Sequence, residues 1–397
     1  MRILLANDGI DDAGGVTAYL AAVAPALRAR GDAVAFMHYN RRTPASRFPA
    51  DPAFGILDRG LDGAVEAAAA WRPDVCFSHN MAALDVDEAL LRRWPVVKMM
   101  HGYAGTCVSG QKARLWPRPA PCGRRLGAPC LLHYLPRRCG VTSPARMLRQ
   151  YSAARRQQSL FHAYASIVVA SAHMRDEYVR NGAPPARVFV VPLFATGQVR
   201  PAVPRGDAPA PARVLFLGRM TQLKGCDLLI RAVAGASRLL GRPVPLTMAG
   251  DGPVRAACQH LAAGLGVDAA FTGWVTEPEK EALFACASLL VMPSVWPEPF
   301  GLVGLEAGAH GVPAVAFDSG GVRAWLRDGT NGLFAGRQPA VEPMARTIAA
   351  ALADPALLAR LSEGACEVAR ELTVDRHVDA LAERVLAPAV RNRPVCA

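Results

Sequence analysis

The sequence predicts an α/β protein of two successive Rossmann-like domains that face each other across a cleft. Three observations carry this. At 397 residues the chain is too long for one ordinary core, so two domains are expected. Apolar runs of strand length alternate with longer stretches of helical periodicity, the pattern of a parallel sheet covered on both faces. That alternation is broken once, by the Pro- and Ala-rich VRPAVPRGDAPAPAR of residues 199–213, and then begins again.

RILLAN opens the first set as a buried strand. Its short apolar run ends at Asp8, with Asp11 and Asp12 close behind, which is too short for a signal peptide. After Gly14 and Gly15, VTAYLAAVAPALRARG carries apolar residues at helical spacing, and Gly31 suits a C-terminal cap. AVAFMHY, DVCFSH, VVKMMHG, SIVVAS and RVFVVP follow as strands. Beyond the interruption come RVLFLGR, PLTMAGDG, AAFTGWV, SLLVMPS and PAVAFDSGG, with helical stretches such as KGCDLLIRAVAGASRLL between them. One domain is thus expected over residues 1–198 and a second over 199–375, with a C-terminal helix and tail over 376–397 crossing back to the first. Two such domains joined by a hinge open a cleft at the carboxyl ends of their strands. No apolar stretch approaches the ~20 residues of a membrane span, so a cytoplasmic protein is expected.

The net charge of +12 is unevenly placed. Residues 1–195 hold 25 Lys and Arg against 14 Asp and Glu, a balance of +11, which leaves +1 for the rest. From Arg92 to Arg175 there are fifteen Lys or Arg and no acid. A single-sign surface of that kind attracts phosphate, whether on lipid head groups, nucleic acid or a pyrophosphate-linked acceptor. Ten cysteines are too few for a disulfide scaffold. Cys76, Cys226, Cys258, Cys286, Cys366 and Cys396 stand alone and read mostly as small core residues. Cys107, Cys122, Cys130 and Cys139 share the basic segment at spacings of fifteen, eight and nine, which do not match a C-x2-C zinc ribbon; reduced cysteines in a folded loop are the favoured reading.

Chemistry concentrates in the second half. PSVWPEPFGLVGLEA sets Glu298 and Glu306 eight residues apart, and Pro297, Pro299 and Gly301 forbid a helix at the first of them. A loop carrying Glu298 and a helix starting near Leu302 and carrying Glu306 are expected, with backbone N–H groups near Phe300, Gly301 and Leu302 at an anion-binding helix start. In FLGRMTQLKG, Arg219 and Lys224 bring two cations to a strand-to-helix loop, a setting that suits a pyrophosphate. AGDGP offers Gly250 and Gly252 for close approach of the backbone to a bound group, and TGWV ends another strand. Singly, each reads as an ordinary strand-to-helix turn.

In this order, together with Gly14-Gly15-Val16 after the first strand and His101 after a later one, these stretches resemble glycosyltransferase family 4, retaining sugar-nucleotide-dependent enzymes of the GT-B fold. The resemblance spans essentially the whole chain. It implies that Glu298 contacts the donor sugar and Glu306 the ribose, that Arg219 and Lys224 hold the pyrophosphate with the N–H groups near Phe300, Gly301 and Leu302, that Val275 lies beside the base, and that Gly15 lets the first domain approach the phosphates. His101 would sit near the sugar, and His101 and Glu298 are the catalytic candidates. The implied donor is a UDP-, GDP- or ADP-sugar. The implied acceptor is a saccharide or lipid-linked hydroxyl held by the basic first domain, with an anionic membrane surface as a further partner and no nucleic acid. Neither metal nor cofactor is called for, since no Asp-x-Asp loop is apparent and cations at the phosphate stabilise the departing charge. The rival readings are a GT-B sugar-nucleotide epimerase or hydrolase, a basic nucleic-acid-binding protein and an NAD-dependent Rossmann enzyme; the last lacks a G-x-G-x-x-G after the first strand.

Overall fold

The structure is a computed structural model that describes residues 1–10, 14–39, 48, 51–81, 83–195, 199–200 and 212–391. Residues 201–211 of the expected linker and 392–397 of the expected tail, Cys396 among them, lie outside the described residues.

Among the described residues, thirteen strands form two all-parallel sheets. The first comprises β1 (Arg2–Asn7), β2 (Ala33–His38), β3 (Ala53–Gly55), β4 (Val75–Ser78) and β5 (Val96–Met100). A two-stranded antiparallel ribbon, β6 (Ala113–Arg114) with β7 (Ala120–Pro121), stands apart from it. β8 (Ser166–Val169) and β9 (Val188–Val190) complete the sheet in the order β3-β2-β1-β4-β5-β8-β9. The second sheet holds β10 (Val214–Leu217), β11 (Leu246–Ala249), β12 (Ala269–Gly273), β13 (Leu289–Met292), β14 (Ala314–Ala316) and β15 (Gly332–Phe334), in the order β12-β11-β10-β13-β14-β15. Every run read as a strand is one, because a largely apolar run is what a strand covered on both faces requires; β12, at the edge of its sheet, instead alternates between part-buried and exposed residues. β3, β15 and the ribbon are two or three residues long, too short for a periodicity to register.

In each sheet the strand order reverses beside the first strand, between β1 and β4 and between β10 and β13. Loops leaving two adjacent strands toward opposite faces open a crevice at such a point. One apolar core runs between the halves: Ile167 and Tyr178 share it with Met292, Phe300 and Trp325. A second fills the far face of the six-stranded sheet. In a third, Val378, Leu381 and Val385 of the last helices pack with Leu20, Val23 and Leu27 of the helix Gly15–Ala29.

The segment between β5 and β8 carries the ribbon, helix Pro129–Tyr134 and helix Pro144–Ser159 over a small core of Val108, Leu126, Tyr134, Met147 and Ala154. Its four cysteines are half-buried free thiols, and burial pushes the Cys139 thiol up to about 11. Among the described residues no group of three His, Cys, Asp or Glu is arranged to hold a metal ion. No described helix is long and apolar enough to cross a membrane. Of the lone cysteines, Cys76, Cys226, Cys258 and Cys366 are buried, whereas Cys286 is exposed at the end of helix Glu277–Cys286.

Candidate active site

The switch point of the six-stranded sheet is built by the loops after β10 and β13. Gly225 sits in the left-handed region at φ 68°, and a Cβ there would lie 2.1 Å from the Pro293 carbonyl oxygen. Only glycine lets the two loops touch. That contact brings Lys224 to the loop after β13, where its Nζ lies 2.6 Å from Glu298 Oε1. The same oxygen accepts from Ser294 Oγ at 2.5 Å, and the ammonium stands 5.4 Å from the centre of the Trp296 ring. Glu298 is 3 % exposed. A carboxylate so buried is tolerable because it is paired and hydrogen-bonded. Its backbone is fixed too, with Gly321 N donating to Glu298 O at 2.6 Å. Arg219 is exposed on the loop after β10 and makes no ion pair among the described residues.

Helix Leu302–Ala309 follows Gly301, whose φ of 86° turns the chain into it, so Phe300, Gly301 and Leu302 form a helix start at the switch point. Phe300 contributes backbone there, since its side chain is buried in the core. Glu306, one turn into helix Leu302–Ala309, pairs with Lys280 at 3.2 Å. Burial works against the Lys280 charge, but Glu306 and Glu277 outweigh it and its pKa is raised. Val275 lies between β12 and that lysine's helix, partly buried against the shared core.

On the facing half, Gly15 opens helix Gly15–Ala29, and no atom lies within 4 Å of where its Cβ would be. One turn on, the Tyr19 ring stands 5.6 Å from that of His101 at the end of β5. His101 Nε2 and His79 Nδ1 are 3.0 Å apart, and Tyr19 Oη is 2.8 Å from Nε2 of His377 on the C-terminal helix. Burial, with Lys98 and His377 adding to it, lowers the His101 pKa to about 3. His101 is therefore a neutral imidazole at ordinary pH, a hydrogen-bonding group and not an acid. Two residues later Tyr103 donates to Pro297 O at 2.8 Å, which joins the His101 loop to the Glu298 loop across the interface between the halves.

Two expectations need correction. Gly250 and Gly252 are required by protein, because Cβ atoms there would meet Gly218 O at 2.1 Å and Met220 O at 2.3 Å; they let the loops after β10 and β11 approach each other. The Asp-x-Asp triplet Asp85-Val86-Asp87 lies in helix Leu84–Leu91 and not in a loop, with Asp87 buried on Lys98 at 2.7 Å. The run from Arg92 to Arg175 is not all surface charge. Lys98 and Lys112 are buried on Asp87 and Glu177, Arg93 pairs with Glu66, and Arg156 with Asp85 and Glu88. Lys280, Ser294, Trp296, His79 and His377 escaped the sequence reading. Lys280 alone left a signal, as the one cation in EPEKEALFAC; the hydrogen-bond and cation–π partners of the others lie at least four residues away and up to 358.

Comparison with known proteins accords with this geometry. The family model described as glycosyl transferases group 1 matches residues 205–368. A D-inositol 3-phosphate glycosyltransferase of Streptomyces bingchenggensis (strain BCW-1) is 31% identical to this chain, over 98% of this chain and 88% of its own length. The chain belongs to the group 1 glycosyl transferases. This glycosyltransferase is also 38% identical to the lipopolysaccharide core biosynthesis glycosyltransferase LpsE of Rhizobium meliloti (strain 1021), over 45% of this chain and 52% of that protein. Its fold is similar to the crystal structure of Anabaena HepE in complex with UDP and glucose, at a TM-score of 0.70 and 17% identity, with 98% of this chain and all of that one covered. The two facing Rossmann-like sheets are those of a GT-B transferase.

Proposed function

We propose that this glycosyltransferase is a retaining, family 4 enzyme that moves a sugar from a nucleoside diphosphate to a hydroxyl acceptor in glycan, lipid-linked saccharide or cell-envelope polysaccharide synthesis. The carrying observation is the ion pair of Lys224 and Glu298 at the switch point. In this reading Lys224 and Arg219 hold the diphosphate beside the helix start at Phe300, Gly301 and Leu302; Glu298 takes the sugar, Glu306 the ribose and Val275 flanks the base. Lys224 then exchanges its carboxylate partner for phosphate, and cations held at the leaving group lower the barrier where charge develops. Gly15 and neutral His101 close the site from the other half, with His101 hydrogen-bonding to the sugar.

In the same reading residues 1–198 are the acceptor half, residues 199–375 the donor half, and the tail from residue 376, as far as it is described, returns to the first. The relative named for D-inositol 3-phosphate supports an acceptor that carries a phosphate, which suits the +11 balance of residues 1–195. Trp116, Leu132, Leu135 and Leu148, exposed among the arginines of the segment between β5 and β8, favour presentation of that acceptor at an anionic membrane on the cytoplasmic side. Calorimetric titration with UDP-, GDP- and ADP-sugars, then the anomeric configuration of the product by NMR, tests the reading. Binding of none of them, or an inverted product, overturns it.

A further inference from the structure

The segment Trp296-Pro297-Glu298-Pro299-Phe300 has every carbonyl engaged. Ser319 Oγ donates to Trp296 O at 2.9 Å, Tyr103 Oη to Pro297 O at 2.8 Å, Gly321 N to Glu298 O at 2.6 Å, Ser171 Oγ to Pro299 O at 2.7 Å and Trp325 Nε1 to Phe300 O at 2.8 Å. Three of the donors come from the half that carries Glu298. The two that hold the proline carbonyls, Tyr103 and Ser171, come from the other half, at the ends of β5 and β8.

Proline has no N–H and a fixed φ, so its carbonyl is its one backbone hydrogen-bonding group and ψ its one free backbone torsion. A hydrogen bond to that carbonyl orients the following peptide plane. Holding Pro297 O therefore sets the plane that leads into Glu298, and holding Pro299 O sets the plane one peptide beyond it, while Gly321 N holds the plane between Glu298 and Pro299. Both hydroxyl donors are 1 % exposed, so water does not replace them when they are removed. The fit around them is close. A Cβ on Gly321 would lie 2.5 Å from Ser171 Oγ and 2.1 Å from Pro299 O, and the Tyr103 ring stands edge-on to Trp296 at 6.2 Å and 88°.

We propose that Tyr103 and Ser171 are positioning residues that make the aim of the Glu298 carboxylate depend on the docking of the two halves. When the acceptor half is seated, its two hydroxyls hold the prolines and the carboxylate is in place beside Lys224; when the halves separate, the segment loses both outer ties while Arg219, Lys224 and the helix start at Leu302, on the donor half, stay assembled. Nucleotide binding thus survives separation, and the geometry for transfer does not. This rests on the reading of Glu298 as the sugar contact.

The test compares Tyr103→Phe, Ser171→Ala, the double variant and Glu298→Gln, reading kcat for transfer and, by calorimetry, the Kd of UDP, GDP and ADP. A drop in kcat of about tenfold for each single variant and more for the double, with the nucleoside diphosphate Kd within about twofold of the parent, is expected from loss of hydrogen bonds that orient and do not contact the nucleotide. Unchanged kcat in the double variant beside an inactive Glu298→Gln overturns the positioning role and leaves the sugar contact standing. Full activity in Glu298→Gln overturns the sugar contact and this inference with it. Equal losses in kcat and in nucleotide affinity mark the two hydroxyls as merely structural. Tyr103→Phe keeps the ring on Trp296, so it decides the matter if the double variant does not fold.

Discussion

Lys224 and Glu298, 74 residues apart in the chain, meet at 2.6 Å because Gly225 lets the loop after β10 rest on Pro293. With 28% of the lysine side chain exposed against 5% of the glutamate's, the ammonium is the partner able to turn toward a ligand. Lys224→Ala is expected to weaken nucleoside diphosphate binding by roughly 1.5 to 3 kcal/mol, the scale of a charge-assisted hydrogen bond. Unchanged affinity by calorimetry removes Lys224 from the site.

The two glutamates should separate in their effects. Glu298→Ala is expected to depress transfer far more than nucleotide binding, and Glu306→Ala to weaken the nucleotide itself, since in the proposed arrangement one meets sugar and the other ribose. Equal losses of nucleotide affinity contradict that division.

Stability of the first half should hinge on Asp87, which accepts from Lys98 Nζ at 2.7 Å, Ser78 Oγ at 2.5 Å and Tyr164 Oη at 2.8 Å, all in the interior. Asp87→Ala leaves a buried ammonium without its counter-charge and is expected to cost about 3 to 5 kcal/mol. An unaltered urea midpoint contradicts this.

The imidazoles of His79, His101 and His377 all have lowered pKa values, chiefly through burial, with His101 near 3 and His377 near 4. Lys98 and His377 act in the same direction on His79 and His101, as does His101 on His79; Tyr19 is the neutral neighbour, and the Pro192 carbonyl partly offsets burial at His377. Unfolding frees each to bind a proton below about pH 6.5, so the stabilisation is whole above that pH and is lost as pH falls toward 4 and then 3. The thermal midpoint should decline over that window. A flat profile from pH 7 to 4 shows that these groups are not held neutral.

Membrane docking is expected to be reversible and salt-sensitive, because each basic residue near an anionic surface contributes ~1 kcal/mol at most. Sedimentation with vesicles should show binding to anionic and not neutral lipid at low salt, weakened by Trp116→Ser. Equal partitioning onto both, or none onto either, leaves a soluble anionic acceptor.

The strands were legible because a strand covered on both faces must be apolar throughout, which a run such as SLLVMPS states locally. The glutamate pair was legible because Pro297, Pro299 and Gly301 exclude a helix at Glu298 whatever surrounds it, and the helix starts at Leu302 as those residues require. Tertiary structure decided the partners. That Lys224 holds Glu298, that Lys280 holds Glu306, and that Tyr103 and Ser171 hold the carbonyls on either side of Glu298 depends on which loops leave adjacent strands and on how two sheets dock. No local pattern encodes such pairs, because a hydrogen bond across 194 or 128 residues is specified only by the packing that brings its ends together. The same holds for charge: the fifteen basic residues from Arg92 to Arg175 are plain in the sequence, but burial alone determined that Lys98 and Lys112 face inward on acids while Trp116 and Leu132 face out among the arginines that remain.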